Sequence, residues 1–255
     1  MKVALIQTKL FWENPQANRL HFQNLIQSIS EPVDLIVLPE MFSTGFTMHP
    51  KHVAETISGE TASWLVAIAN SKSAAITGSI VIEENGNFFN RLVFVFPSGE
   101  IQTYDKRHLF TLAGEDLEYK AGNQKLIVEY CGFKICPLIC YDLRFPVFSR
   151  NTEAYDLLLY VANWPAPRVN AWDILLPARA VENQCYVIAV NRIGMDGNNH
   201  QYVGHSQVID YLGNYLLKPI EGEQIQIVSI DKESLLATRK KLAFLNDRDN
   251  FVISE

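Results

Sequence analysis

The chain has 255 residues, 48% of them hydrophobic and 20% charged, which is ample material for a packed core and argues against disorder. A net charge of −6 with Lys and Arg scattered along the chain gives no basic surface for a polyanion, so nucleic acid is not an expected partner. The opening apolar run is too short for a signal peptide and no segment reaches the roughly 18 apolar residues of a membrane span, so a cytoplasmic protein without a membrane partner is expected.

In chain order, residues 2–8 form an apolar run suited to a buried strand. Asn14-Pro15 is a helix start, and Leu20, Phe22, Leu25, Ile26 and Ile29 recur at helical spacing until Glu31-Pro32. Residues 34–40 read as a second buried strand ending in the carboxylate of Glu40, so the chain opens as a βαβ unit. A helix is expected over 64–71, then strands over 75–82 and 88–96 around the hairpin signal Asn85-Gly86-Asn87. A strand over 101–104 runs into the charged patch Asp105-Lys106-Arg107-His108, and a Gly-bearing loop covers 109–122.

Strands over 126–130 and 133–139 join at Cys131-Gly132, and the second delivers Cys140 to a strand end. The βα alternation resumes with a strand over 155–162, a helix over 172–183 and a strand over 186–190. A late hairpin over 206–217, a strand over 224–230 and a helix over about 231–240 follow, and the tail from Leu242 carries Phe244, Leu245, Phe251 and Val252 among charges. No composition shift, linker or repeat divides the chain, so residues 1–255 are expected to form one layered α/β domain.

Cysteines 131, 136, 140 and 185 have no zinc-type spacing and are expected as thiols. Three strand ends carry reactive groups: Glu40, Lys106 and Cys140. Taken singly, these residues read as a solvated acid, a surface cation and a core thiol. Together their chemistry fits, because a thiol needs a base, a desolvated carboxylate can be that base, and an ammonium steadies a developing oxyanion. A metal hydrolase built from His49, His52, His108, His200 and His205 lacks any His-Glu-x-x-His pattern. A Cys-His pair using His108 or His205 would leave the glutamate and lysine stretches unexplained.

The stretches Leu38-Pro39-Glu40-Met41-Phe42, Tyr104-Asp105-Lys106-Arg107-His108-Leu109-Phe110 and Ile139-Cys140-Tyr141-Asp142-Leu143-Arg144-Phe145-Pro146, in this order and spacing, resemble the nitrilase superfamily of carbon-nitrogen hydrolases. The likeness runs over nearly the whole chain. It implies a nitrilase-like αββα four-layer sandwich, paired as αββα-αββα in a homodimer, with the tail (about 242–255) packed at the subunit interface. It further implies Glu40 as general base, Cys140 as nucleophile, Lys106 as the cation beside the tetrahedral oxygen, and the Tyr141 amide completing the oxyanion hole. Glu115, seven residues before Gly122, matches a second glutamate that positions the lysine and the substrate, with Glu118 as its competitor. No metal and no organic cofactor is called for.

At a finer level, Asn163-Trp164-Pro165 with Arg168, Trp172 and residues 178–184 resembles the omega-amidase branch, which deamidates small 2-oxo acid amides such as 2-oxoglutaramate and 2-oxosuccinamate. Arg144, four residues beyond the nucleophile, is either a fork for the substrate carboxylate or a brace to Asp142 or Glu182. Phe42 and Trp164 are either pocket walls or core aromatics. The alternatives are another amidase or N-carbamoyl amide hydrolase of the superfamily, and a non-catalytic binding protein on the same fold.

Overall fold

A computed structural model describes residues 1–253, as two six-stranded sheets packed face to face with helices on their outer faces. The first sheet is built from β1 (Lys2–Gln7), β2 (Leu35–Val37), β3 (Ala75–Glu84), β4 (Asn87–Val95), β5 (Ile101–Asp105) and β14 (Gln224–Ser229), in the order β14-β1-β2-β3-β4-β5. The second contains β6 (Val128–Tyr130), β7 (Phe133–Ile139), β8 (Leu157–Ala162), β9 (Tyr186–Asn191), β12 (Gln207–Ile209) and β13 (Tyr215–Leu217), in the order β13-β12-β9-β8-β7-β6. Each has a parallel centre, β1-β2-β3 in one and β7-β8-β9 in the other, flanked by antiparallel strands.

The two-residue period of a strand assigns the layers. Val3, Leu5, Leu35 and Val37 face the core between the sheets. Ala4, Ile6 and Ile36 face outward onto Phe22 and Ile26 of α1 (Pro15–Gln27) and Leu65 and Ile68 of α3 (Glu60–Lys72). The outer face of the second sheet is covered by Trp172, Leu176 and Ala180 of α6 (Val169–Asn183) and Leu235 of α7 (Lys232–Lys241). Short helical turns α2 (Pro50–Val53), α4 (Glu115–Glu118) and α5 (Pro146–Ser149) lie in the connections.

Local signals explain two of the element boundaries. The Asn14 side chain accepts from Ala17 N at 3.0 Å ahead of Pro15 and so caps α1. Asn85 and Gly86 both take positive φ, 53° and 76°, and close the β3-β4 hairpin with the twist its strands require.

Three differences from the sequence expectation have physical causes. Helix α3 begins four residues before the expected 64, because Glu55, from outside the helix, accepts from Thr61 N at 2.7 Å and supplies a first-turn acceptor that no local residue offers. Likewise α6 begins at Val169, ahead of the expected 172, continuing from a single turn at Ala166–Arg168. A two-stranded ribbon, β10 (Ile193–Met195) with β11 (Gln201–Val203), was not expected, since its polar turn and short arms carry no alternating apolar pattern. The tail turns at Phe244–Asp247, and of the tail expected to meet a partner subunit, residues 254 and 255 lie outside the described residues. Among the described residues no helix is long and apolar enough to cross a membrane.

Candidate active site

Glu40, Lys106 and Cys140 follow the carboxyl ends of β2, β5 and β7, where loops of both sheets converge. After β2 the chain turns tightly over β3: Leu38 N donates to Thr77 O (2.8 Å), Met41 N to Ser79 Oγ (2.8 Å) and Phe42 N to Ser79 O (3.1 Å). Gly78 makes this close approach possible, as a Cβ there would stand 2.9 Å from both Leu38 Cβ and Phe42 Cδ1. The turn buries Glu40 completely.

Cys140 has φ +44°, in the left-handed region that costs a side-chain-bearing residue about 1–3 kcal/mol and is commonly held at functional sites. It opens a tight turn over Cys140–Arg144, and its Sγ lies 3.8 Å from Asn163 O, at the end of β8. Asn163 joins the sheets: its N–H donates to Glu40 Oε2 at 2.8 Å, and its Nδ2 donates to Glu40 O at 2.7 Å.

Lys106, 1% exposed, donates from Nζ to Glu40 Oε1 (2.9 Å) and to both oxygens of Glu115 (3.0 and 2.9 Å). Asn90 Nδ2 donates to Glu40 Oε1 (2.8 Å) and Glu115 Oε1 (3.2 Å), and Phe110 N donates to Glu115 Oε2 at 2.6 Å. One cation is thus shared between two buried carboxylates. Burial works against the ammonium, but Glu115 and Glu40 together raise its pKa well above the usual lysine value. Burial raises the Glu115 pKa, Lys106 opposes that rise and Glu40 adds to it. The Cys140 thiol is pushed well above its ordinary value by burial and then by the Glu40 charge, with Lys106 pulling the other way. Cys140 is therefore held as a thiol beside the Glu40 carboxyl group, a pair between which a proton can pass.

A carbon-nitrogen hydrolase family model matches residues 2–240. The chain is 44% identical to an omega-amidase, YafV, of Escherichia coli strain K12, covering 98% of each chain. It is 32% identical to a 2-oxoglutaramate amidase of Bacillus subtilis strain 168, covering 96% of each. The chain belongs to the carbon-nitrogen hydrolase family. Its fold superposes on the crystal structure of XC1258 from Xanthomonas campestris, a CN-hydrolase superfamily protein with an arsenic adduct in its active site, with a TM-score of 0.97, 42% identity and coverage of 100% and 99% of the two chains. As a member of the nitrilase superfamily, on the branch that holds the omega-amidases, this protein is a hydrolase of amide carbon-nitrogen bonds.

In this carbon-nitrogen hydrolase, Cys140 and Lys106 open into a cavity of about 280 Å³. Tyr141, Arg144, Trp164 and Arg168 also line it. Arg144 makes no ion pair with Asp142 or Glu182. Its guanidinium lies over the Trp164 ring at 4.9 Å, while Asp142 is bonded to Tyr104 and His108, and Glu182 to Arg179. Arg168 sits over Phe110 at 5.1 Å. Of the two glutamates in the 109–122 loop, Glu115 is buried on Lys106 whereas Glu118 is exposed.

Phe42 is not a pocket wall. It lies fully buried in the outer core, edge-on to Phe22 at 5.4 Å and tilted on Trp64 at 6.0 Å, because the tight turn that aims Glu40 at Lys106 and Asn163 sends the residue two further on into the helices. His108 and His205 do not line the cavity and are paired with Asp142 and Asp173, each at 2.8 Å. His49, a member of the disfavoured metal-hydrolase alternative, pairs with Glu13 at 3.3 Å and stacks on His52.

Three contributors escaped the sequence reading. Asn90, a polar residue within an apolar strand, gave a faint signal. Asn163 carries a signal only within the run Asn163-Trp164-Pro165. Asp196, held by Tyr202 Oη at 2.9 Å and by two backbone amides at 2.8 and 2.9 Å, shapes the cavity wall on the unexpected ribbon.

Proposed function

We propose that this hydrolase is an omega-amidase, releasing ammonia from the terminal amide of small 2-oxo dicarboxylic acid monoamides such as 2-oxoglutaramate and 2-oxosuccinamate. The observation that carries the reading is a small cavity lined by Cys140, by Lys106 in its ion pair with Glu40, and by two guanidinium groups, Arg144 and Arg168, that have no carboxylate partner among the described residues. An amide at the thiol and a carboxylate at a guanidinium describe one short molecule with both groups. The omega-amidase and the 2-oxoglutaramate amidase among its relatives support that choice.

In this mechanism Glu40 takes the thiol proton as sulfur attacks the amide carbon, and the oxyanion meets Lys106 and the Tyr141 amide. The tetrahedral adduct collapses as Glu40 returns the proton to the leaving ammonia. Water deprotonated by the same carboxylate then attacks the Cys140 thioester; the carbon-sulfur bond breaks, Glu40 returns the proton to the sulfur and the acid is freed. Glu115 holds the Lys106 ammonium in place. Arg144 is the fork for the substrate carboxylate, with Trp164 supporting its guanidinium plane.

The test measures ammonia release from 2-oxoglutaramate, butyramide and a short nitrile, with Cys140→Ala as the control. The oxo acid amide should be strongly preferred and the nitrile poor, and Cys140→Ala should be inactive but folded. A charge-assisted hydrogen bond contributes roughly 1.5–3 kcal/mol, so Arg144→Met should lower kcat/KM on 2-oxoglutaramate by about tenfold to a hundredfold and spare butyramide. Equal losses on both substrates would move the fork to Arg168. Equal rates on both with the unmodified enzyme would overturn the omega-amidase reading.

A further inference from the structure

Asp142 is fully buried two residues past Cys140 and does not line the cavity. Its Oδ2 accepts from Ile139 N (2.9 Å) and from Tyr104 Oη (2.7 Å). Its Oδ1 accepts from His108 N (3.0 Å) and from His108 Nδ1 (2.8 Å). Ile139 and Asp142 bracket Cys140 at the end of β7 in one sheet. Tyr104 and His108 bracket Lys106 at the end of β5 in the other.

The partners of this carboxylate are themselves immobilised. The His108 ring lies flat on Phe145, with centroids 3.8 Å apart and planes at 6°. Tyr104 Oη also accepts from Arg107 N at 3.1 Å. From the opposite side, buried Arg179 donates Nη2 to Leu143 O at 2.6 Å and braces the turn that carries the thiol. A carboxylate with two oxygens can accept from all four donors, which a neutral amide of the same shape cannot do.

We propose that Asp142 is a positioning residue: one buried carboxylate clamps the Lys106 segment of the first sheet to the Cys140 turn of the second and so sets the spacing between ammonium and thiol. This rests on the reading of Cys140 as nucleophile and Lys106 as oxyanion cation. In Asp142→Asn the amide N–H groups would face two of the four donors, and the segments would drift apart. A misplacement of about 1 Å at a reacting pair can cost on the order of a hundredfold in rate.

The experiment compares Asp142→Asn, His108→Ala and His108→Asn with the unmodified enzyme and with Cys140→Ala. It measures kcat, KM, melting temperature and the rate of Cys140 alkylation by iodoacetamide, all per folded molecule. Asp142→Asn should lose about tenfold to a hundredfold in kcat with KM little changed, and its alkylation rate should fall with kcat. His108→Ala should fall in the same direction. His108→Asn, whose side-chain N–H can replace the Nδ1–H donor, should recover most of that loss. Unchanged kcat and alkylation in folded Asp142→Asn would overturn the clamp. Should Asp142→Asn fail to fold, the two histidine variants decide: unchanged turnover in His108→Ala, or equal losses in both, overturns it. Activity in Cys140→Ala would instead overturn the nucleophile reading beneath it, and the alkylation rate reads the clamp whatever the substrate is.

Discussion

At the scale of single residues, the site is a problem in where one proton sits. Burial and the Glu40 charge hold the Cys140 thiol protonated, while Lys106 favours the thiolate. Removing either neighbour should therefore move the thiol titration in opposite directions. Glu40→Gln should lower the thiol pKa and Lys106→Met should raise it, followed by thiolate ultraviolet absorbance against pH with Cys140→Ala subtracted. On the proposed mechanism each should also cut turnover by at least ~10²-fold, one by removing the base and the other by removing the oxyanion cation. Shifts in the same direction would show that burial alone governs the thiol. Lys106→Met carries a second cost, because Glu40 and Glu115 would then face each other without a cation. Breaking a buried pair in this way costs about 3–5 kcal/mol, so its melting temperature should fall far more than that of Glu40→Gln.

At the scale of elements, the site depends on backbone turns that side-chain chemistry alone would not position. The Glu40 turn lies on β3 through Gly78, so Gly78→Val should push Leu38 and Phe42 outward and carry Glu40 out of reach of Lys106. Overpacking of this kind costs about 1–3 kcal/mol, and a loss of activity exceeding the loss of folded protein would be the measured sign. The β10-β11 ribbon is held by Asp196. Burial would raise this carboxyl pKa, but the amides of His200 and Asn198 and the Tyr202 hydroxyl outweigh it and hold the group below its usual value. A lowered folded-state pKa stabilises the protein above the unfolded value of about 4 and loses that contribution as pH falls through the folded value. Asp196→Asn should thus melt below the unmodified protein at pH 7, and the gap should narrow below about pH 4. A gap that stays constant from neutral to acid pH would remove the Asp196 charge from the account.

At the scale of the whole molecule, apolar side chains remain on the outer face of the second sheet's helical layer. Ile174 and Val181, two turns apart on α6, are 59% and 51% exposed, and Val147 of α5 is 56% exposed. The tail borders the same region: Asp247, Arg248, Asp249 and Phe251 line a recess with Val147, Arg150 and Glu182. We propose that a second copy covers this face through the α5, α6 and tail surfaces, giving the paired αββα-αββα arrangement. Sedimentation should report a dimer, and Ile174→Glu with Val181→Glu should shift it toward monomer, since a buried unpaired carboxylate is costly. A monomer in the unmodified protein, or a dimer indifferent to both changes, would place the contact elsewhere.

The amino-acid sequence by itself determined what depends on neighbours in the chain: buried strands from apolar runs, the hairpin at Asn85-Gly86, the start of α1 at Asn14-Pro15, and the arrival of Glu40, Lys106 and Cys140 at or just past strand ends. The tertiary structure decided what depends on pairing across the two sheets. Asn163 grips Glu40 across 123 positions of chain, a contact for which no local pattern exists. Phe42 could be wall or core on sequence grounds, and only the turn over Gly78 sent it inward. Arg144 had Asp142 two residues away and Glu182 on a later helix as carboxylates to brace, yet both are taken by other donors, which leaves its guanidinium to the cavity. Local periodicity reports which face of an element is buried. It carries no information on which distant donor reaches a given carboxylate first, because that is set by the packing of one sheet on the other.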